Sequence, residues 1–144
     1  MSWKDCIIDR TQEDIEYARQ NRNDVENLRG ARNASDLNRV NENIEYLSQQ
    51  FELYGYGILI TTKQDWIVTD IPRVNDIRQI LDDIDMLRTM YFVQSTTPDT
   101  PAVPINTFFK MNSVEEILHD MYLLLSGMIN NFIYCGEIES GEDI

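Results

Sequence analysis

Asp36-Leu37-Asn38-Arg39-Val40-Asn41-Glu42-Asn43-Ile44-Glu45-Tyr46-Leu47-Ser48-Gln49-Gln50-Phe51 sets Leu37, Val40, Ile44, Leu47 and Phe51 three or four residues apart. That spacing lays all five along one side of an α-helix. Asn33-Ala34-Ser35-Asp36 offers N-cap residues and Tyr54-Gly55-Tyr56-Gly57 a stop, so a helix is expected over about 35–53. The same 3, 4, 3 spacing returns at Ile77, Ile80, Ile84 and Leu87, and again at Val114, Ile117, Met121 and Leu124. A polar residue stands before the third apolar position each time: Asn43, Asp83 and Asp120. Whether this is a repeated unit or the common pattern of amphipathic helices, the consequence is one architecture. Helices with one apolar side each bury those sides against one another or against another chain.

Working outward, Thr11-Gln12-Glu13-Asp14 places a hydroxyl three residues before a carboxylate, which suits a capping box, and a helix is expected over about 12–29. Gln20-Asn21-Arg22-Asn23 weakens its middle, so a break is expected there. Ile58-Leu59-Ile60-Thr61-Thr62 and Trp66-Ile67-Val68-Thr69 read as a small hairpin or as extended chain over the helices. A third helix is expected over about 73–92, then a Pro-rich crossing with Pro98, Pro101 and Pro104. The last helix is expected to open at Asn112-Ser113, with Ser113 and Glu116 as a second capping box, and Gly127 obscures its far end. The tail from Cys135 to Ile144 is acidic and glycine-broken, so its tip is expected to be mobile unless a partner holds it. The fold class is therefore mainly α: about four amphipathic helices, a small extended or hairpin element and a Pro-rich linker. The expected organisation is a helical module over 1–94, a linker over 95–111 and a C-terminal helix with acidic tail over 112–144, with a single compact domain as the alternative.

The chain has 144 residues, 42% apolar and 26% charged, which is ordinary globular composition. Twenty-five acidic residues against 12 basic ones give a net charge of -13. A surface of that sign repels phosphates, so nucleic acid is not expected as a partner. No apolar run approaches the roughly 20 residues of a spanning helix, and the first residues lack a signal-peptide pattern, so no membrane partner is expected and the chain is expected to be soluble.

Little of the sequence points to catalysis. His119 is the only histidine, so Glu116-Ile117-Leu118-His119 lacks the second Glu-x-x-His pair that a di-iron bundle needs. Cys6 and Cys135 stand outside any CxxC spacing and read as free thiols. Asp82-Asp83 and Glu115-Glu116 read as parts of solvated helix faces. No phosphate-cradling or nucleophile-elbow pattern occurs. No cofactor, metal or catalytic residue is expected. The aromatics say more: Tyr54, Tyr56, Trp66, Tyr91, Phe92, Phe108 and Phe109 gather in connections and at helix ends, where they serve either to cap the core or to pack on another chain. Tyr54, Tyr56, Trp66, Phe108 and Phe109 are the interface candidates.

Several segments also resemble a known family. Asp9-Arg10-Thr11 with Asp14, then Gly30 with Asn33-Ala34-Ser35-Asp36-Leu37-Asn38-Arg39 and Tyr46-Leu47, resemble recurring segments of small tail-associated structural proteins of phages of Gram-positive, clostridia-like bacteria. Lys63 with Trp66 and Asp70-Ile71-Pro72, the stretch Arg78 to Arg88, Pro101 to Pro104, Asn112 to Asp120, and Tyr134-Cys135-Gly136-Glu137 with Gly141-Glu142 follow in the same order. The resemblance implies a non-enzymatic component of a phage tail, baseplate or fibre-attachment region, or of a related tail-like particle. It also implies a virion location after assembly in the bacterial cytoplasm, other tail proteins as partners, and homo-oligomers in the particle. The alternative expectation is an acidic inhibitor that mimics nucleic acid, which requires the acids on one face; here both signs mix along the helices. A tail hydrolase is a third, weaker reading.

Overall fold

The computed structural model describes residues 3–20, 34–53, 55, 59–67, 69–70, 72–90, 97–103, 105 and 107–141; the side chains of residues 18, 90, 108 and 128–141 lie outside that description. Among the described residues the chain is mainly helical, with α1 (Gln12–Gln20), α2 (Ala34–Leu53), α3 (Val74–Met90) and α4 (Phe108–Gly141) and no strand.

α1 starts as the sequence indicates. Thr11 N–H donates to Asp14 Oδ2 at 3.0 Å and Asp14 N–H donates back to Thr11 Oγ1 at 3.4 Å, a reciprocal cap. The described part of α1 ends at Gln20, and the expected continuation to residue 29 lies outside the described residues. α2 and α3 match the expected helices to within about two residues at each end.

α4 departs from expectation at its start. It opens at Phe108, four residues ahead of Asn112, because Thr107 caps it: Thr107 Oγ1 accepts from Lys110 N–H at 3.2 Å. Asn112, freed from capping, is used elsewhere. At its other end the helix runs through Gly127 and the first part of the acidic tail to Gly141, and the tip at 142–144, expected to be mobile, lies outside the described residues.

The three stripes meet in one core. Val40, Ile44, Leu47, Phe51, Ile84, Leu87, Val114, Ile117, Leu118, Met121 and Leu125 are all at most 2% exposed. On α4 the expected Val114, Ile117 and Met121 turn inward, joined by Leu118 and Leu125, and Leu124 is only half-buried. Val114, Leu118, Met121 and Leu125 alternate by four and three, and Ile117 and Met111 widen the buried side.

Three extended segments are laid over this bundle: an N-terminal arm (3–10), a strap (59–67) and a crossing (97–103). Of the two expectations for 58–69, a hairpin or extended chain over the helices, the described residues show the second, a single extended strap. Its residues alternate in exposure, with Ile60, Thr62, Gln64 and Trp66 inward and Leu59, Thr61, Lys63, Asp65 and Ile67 outward. The strap finds its backbone partners on α2, one helical turn at a time. Ser48 Oγ accepts Ile60 N–H at 2.7 Å, Glu45 Oε1 accepts Thr62 N–H, Asn41 Nδ2 donates to Lys63 O at 2.7 Å, and Asn38 Oδ1 accepts Trp66 N–H at 2.8 Å. Positions 38, 41, 45 and 48 lie on one side of a helix, so α2 presents a row of polar side chains antiparallel to the strap. The crossing is held similarly, by Thr97 Oγ1 donating to Asp120 Oδ2 at 2.7 Å and Arg88 Nη1 donating to Pro98 O at 2.7 Å.

Candidate functional site

The most unusual chemistry lies where the arm crosses α2 and α4. Glu115 is fully buried, although it was read as part of a solvated face. Neighbouring helix residues point about 100° apart, so of Glu115-Glu116 and Asp82-Asp83 one member of each falls inward, and Asp83 is buried in the same way. Arg10 and Asp36 are buried beside Glu115.

Glu115 accepts four hydrogen bonds. Oε1 takes Arg39 Nε at 2.6 Å and Ile7 N–H at 3.2 Å, and Oε2 takes Arg10 Nη2 at 2.5 Å and Arg39 Nη2 at 2.9 Å. Asp36 Oδ1 completes the ring with Arg39 Nη2 at 2.6 Å and Arg10 Nη2 at 3.3 Å. Two guanidinium groups and two carboxylates form a cluster that is neutral as a whole. Neutrality and complete hydrogen bonding are what make such burial tolerable. The paired carboxylates hold the Arg39 guanidinium charged well beyond its ordinary range, against the opposing effect of burial.

The arm is read at every third residue. Asn43 binds both polar groups of Lys4, with Lys4 N–H donating to Oδ1 and Nδ2 donating to Lys4 O, both at 2.9 Å. Glu115 takes Ile7 N–H, and Asn112 repeats the two-way contact on Arg10, 3.1 Å each way. Anchors at 4, 7 and 10 match an extended chain with three residues per turn. Trp3 ends the arm, stacked on Tyr122 with ring centroids 4.3 Å apart and 6° between planes, with Tyr46 edge-on at 5.8 Å. Cys6 lies between these anchors, its Sγ 3.6 Å from Asn43 Nδ2. Burial, and after it the Glu115 charge, pushes its thiol pKa up to about 12. It is a free thiol, as expected.

A second polar spot lies between α2, α3 and the strap, around a cavity of about 100 Å³ lined by Asn41, Trp66, Gln79 and Asp83 among others. Asn41 Oδ1 and Trp66 Nε1 are buried there without a hydrogen-bond partner. Asp83 accepts from Gln79 Nε2 at 2.9 Å, and burial raises its pKa above the ordinary carboxylate value.

Of the interface candidates, Tyr54 and Tyr56 lie outside the described residues, as do Tyr91 and Phe92. Trp66 is half-buried against the core, with its backbone held by Asn38 and Lys63 Nζ 4.9 Å over its ring. Phe108 opens α4, its side chain outside the description, and Phe109 beside it is 68% exposed. What sequence reading missed was Trp3, Arg10, Asp36, Arg39, Asn43, Asn112 and Glu115. A buried ionic cluster leaves no spacing signature, because its four members come from three separate elements. Among the described residues no group of three or more His, Cys, Asp or Glu side chains could hold a metal ion, and no helix is long and apolar enough to cross a membrane. Searches of protein-family models, curated proteins and solved structures find no match to this chain.

Proposed function

We propose that this chain is a non-catalytic structural component of a phage tail, baseplate or fibre-attachment region, or of a related tail-like particle, acting through protein–protein assembly. The observation that carries the assembly part is the length of α4. Its 34 residues span about 51 Å, against about 30 Å for the 20 residues of α2. The helix continues for 16 residues beyond the buried Leu125. In sequence the alternation of Val114, Leu118, Met121 and Leu125 continues to Met128, Phe132 and Cys135. A helix so much longer than its neighbours, with that alternation along it, is suited to packing on another helix. The resemblance of the ordered segments from Asp9 to Glu142 supports the phage part.

The test is the mass of the full chain by light scattering behind size exclusion, alone and co-expressed with the structural proteins encoded beside it. A symmetric oligomer or a stoichiometric complex is expected, and Phe132→Asp should dissolve it without changing the helical signal of the bundle. A persistent monomer that ignores those neighbours overturns the reading.

A further inference from the structure

The cavity of about 100 Å³ between α2, α3 and the strap has a mostly polar lining, and two of its residues carry a buried atom that the fold leaves unsatisfied. Buried polar atoms in folded proteins have partners, so a donor and an acceptor left over at one cavity call for an explanation. From the set of groups in its wall we infer that this cavity is a binding site for a primary carboxamide, the group that ends an asparagine or glutamine side chain and that small free amides also carry.

The wall offers one donor and two acceptors. The donor is Trp66 Nε1, buried and without a partner among the described residues. The first acceptor is Asn41 Oδ1, in the same condition, on a residue that is 3% exposed. Which end of that amide is the oxygen is fixed, because Nδ2 donates to Lys63 O at 2.7 Å. The second acceptor is Asp83, also buried, whose Oδ1 takes Gln79 Nε2 at 2.9 Å and which has no cationic partner among the described residues. A carboxylate has about four lone-pair sites, so one such bond leaves it able to accept more.

Other polar groups of the lining are already engaged. Asp76 takes Arg73 N–H at 2.8 Å at the start of α3, Thr62 Oγ1 donates to Asn41 O at 3.0 Å, and Lys63 Nζ pairs with Asp65 at 2.9 Å. The wall is also held in place beforehand, since Asn38 binds both backbone polar groups of Trp66.

A primary carboxamide is the complement of that set. Its carbonyl accepts from Trp66 Nε1–H, and its two N–H groups serve Asn41 Oδ1 and Asp83. A guanidinium or an ammonium has donors only and leaves the indole unpaired. A carboxylate has acceptors only and meets Asp83 and Asp76 with like charge. A mismatch that leaves one buried group unpaired weakens binding roughly tenfold or more. The size agrees as well: one water needs roughly 10–15 Å³, so about 100 Å³ has room for a group of a few heavy atoms.

The Trp66 indole N–H reports on the site directly. In the isotopically labelled full chain its magnetic resonance signal is identified by its loss in Trp66→Phe and followed as propionamide, propionate or methylguanidinium is added. Should Trp66→Phe fail to fold, Trp3→Phe identifies the two indole signals instead. The expected result is a saturable shift with propionamide, with a dissociation constant on the order of millimolar, and binding at least about tenfold weaker for the other two. The Trp3 indole, stacked on Tyr122 and not part of the lining, should stay where it is. N-acetylglutamine N-methylamide separates the two sources: binding comparable to propionamide supports a side chain of another protein as the occupant, and binding of propionamide alone supports a free amide. A Trp66 signal that no compound moves, as a cavity holding water alone would give, overturns the inference, and so do equal shifts with all three. The measurement uses the chain by itself, so its outcome is independent of whether the chain joins a tail.

Discussion

Glu115→Gln is the sharpest perturbation that the arm socket allows. The side chain keeps its shape, but one oxygen that accepts two guanidinium N–H groups becomes an NH₂ that donates toward them, and the cluster is left with two cations against Asp36. Breaking a fully buried, hydrogen-bonded ion pair costs about 3–5 kcal/mol. At roughly 2.1 cal/mol/K per residue, the unfolding entropy of the 144-residue chain is about 0.3 kcal/mol/K, so the midpoint should fall by about 10–17 °C. Thermal unfolding followed by circular dichroism reads the shift, and urea unfolding gives the free energy directly. Arg10→Met should cost a comparable amount, and the double variant clearly less than the two together, since each single change strands the other's partner. A drop below about 3 °C for Glu115→Gln would refute the argument, because it would put this cluster among exposed ion pairs worth at most about 1 kcal/mol.

Asp83→Asn keeps the Gln79 hydrogen bond and removes a carboxylate whose pKa burial raises. The wild-type group favours the fold below its unfolded value of 3.8 and loses that contribution as pH rises through its raised folded value, so the variant should be the more stable at pH 7, and denaturation series should show the gain vanish near pH 3. With the Cys6 thiol shifted from 9.0 to about 12, its thiolate fraction near pH 8 is about a thousandfold lower, so in a Cys135→Ser chain a disulfide reagent should react slowly in buffer and fast in urea. Thr107→Ala removes the α4 cap and should cost about 1 kcal/mol in urea unfolding. Phe109→Ser, at a side chain that is 68% exposed, should change stability by less than about 0.5 kcal/mol and still weaken any complex that uses this end of α4, as competition by light scattering would show.

The helices were legible because apolar spacing is a local property. Leu37, Val40, Ile44 and Leu47 define one side of α2 without reference to anything else, and Ile77 to Leu87 do so for α3. The start of α4 was misread because Ser113 with Glu116 fits a capping box by spacing alone; in the structure Thr107 takes that role and Asn112 binds the arm at Arg10. The end of α4 stayed open in the sequence because of Gly127, yet a glycine weakens a helix by only about 1 kcal/mol, which neighbouring turns outweigh. Of the arm socket, the sequence carried fragments. Arg10 and Asp36-Leu37-Asn38-Arg39 stood in the segments that resemble tail proteins, with nothing to say that they meet Glu115 about a hundred residues later. Contacts at such separation are set by the packed fold, and no period in the chain announces them.

The side-chain amides of Asn38, Asn43 and Asn112 each take both polar groups of one extended residue, the pairing that a neighbouring strand would otherwise supply. Extended chain that finds its partners on helices offers no regular row of open donors and acceptors for another molecule to zip against. Indiscriminate edge-to-edge growth therefore has little to start from along the arm and the strap, whose hydrogen-bonding groups are taken up within the fold residue by residue.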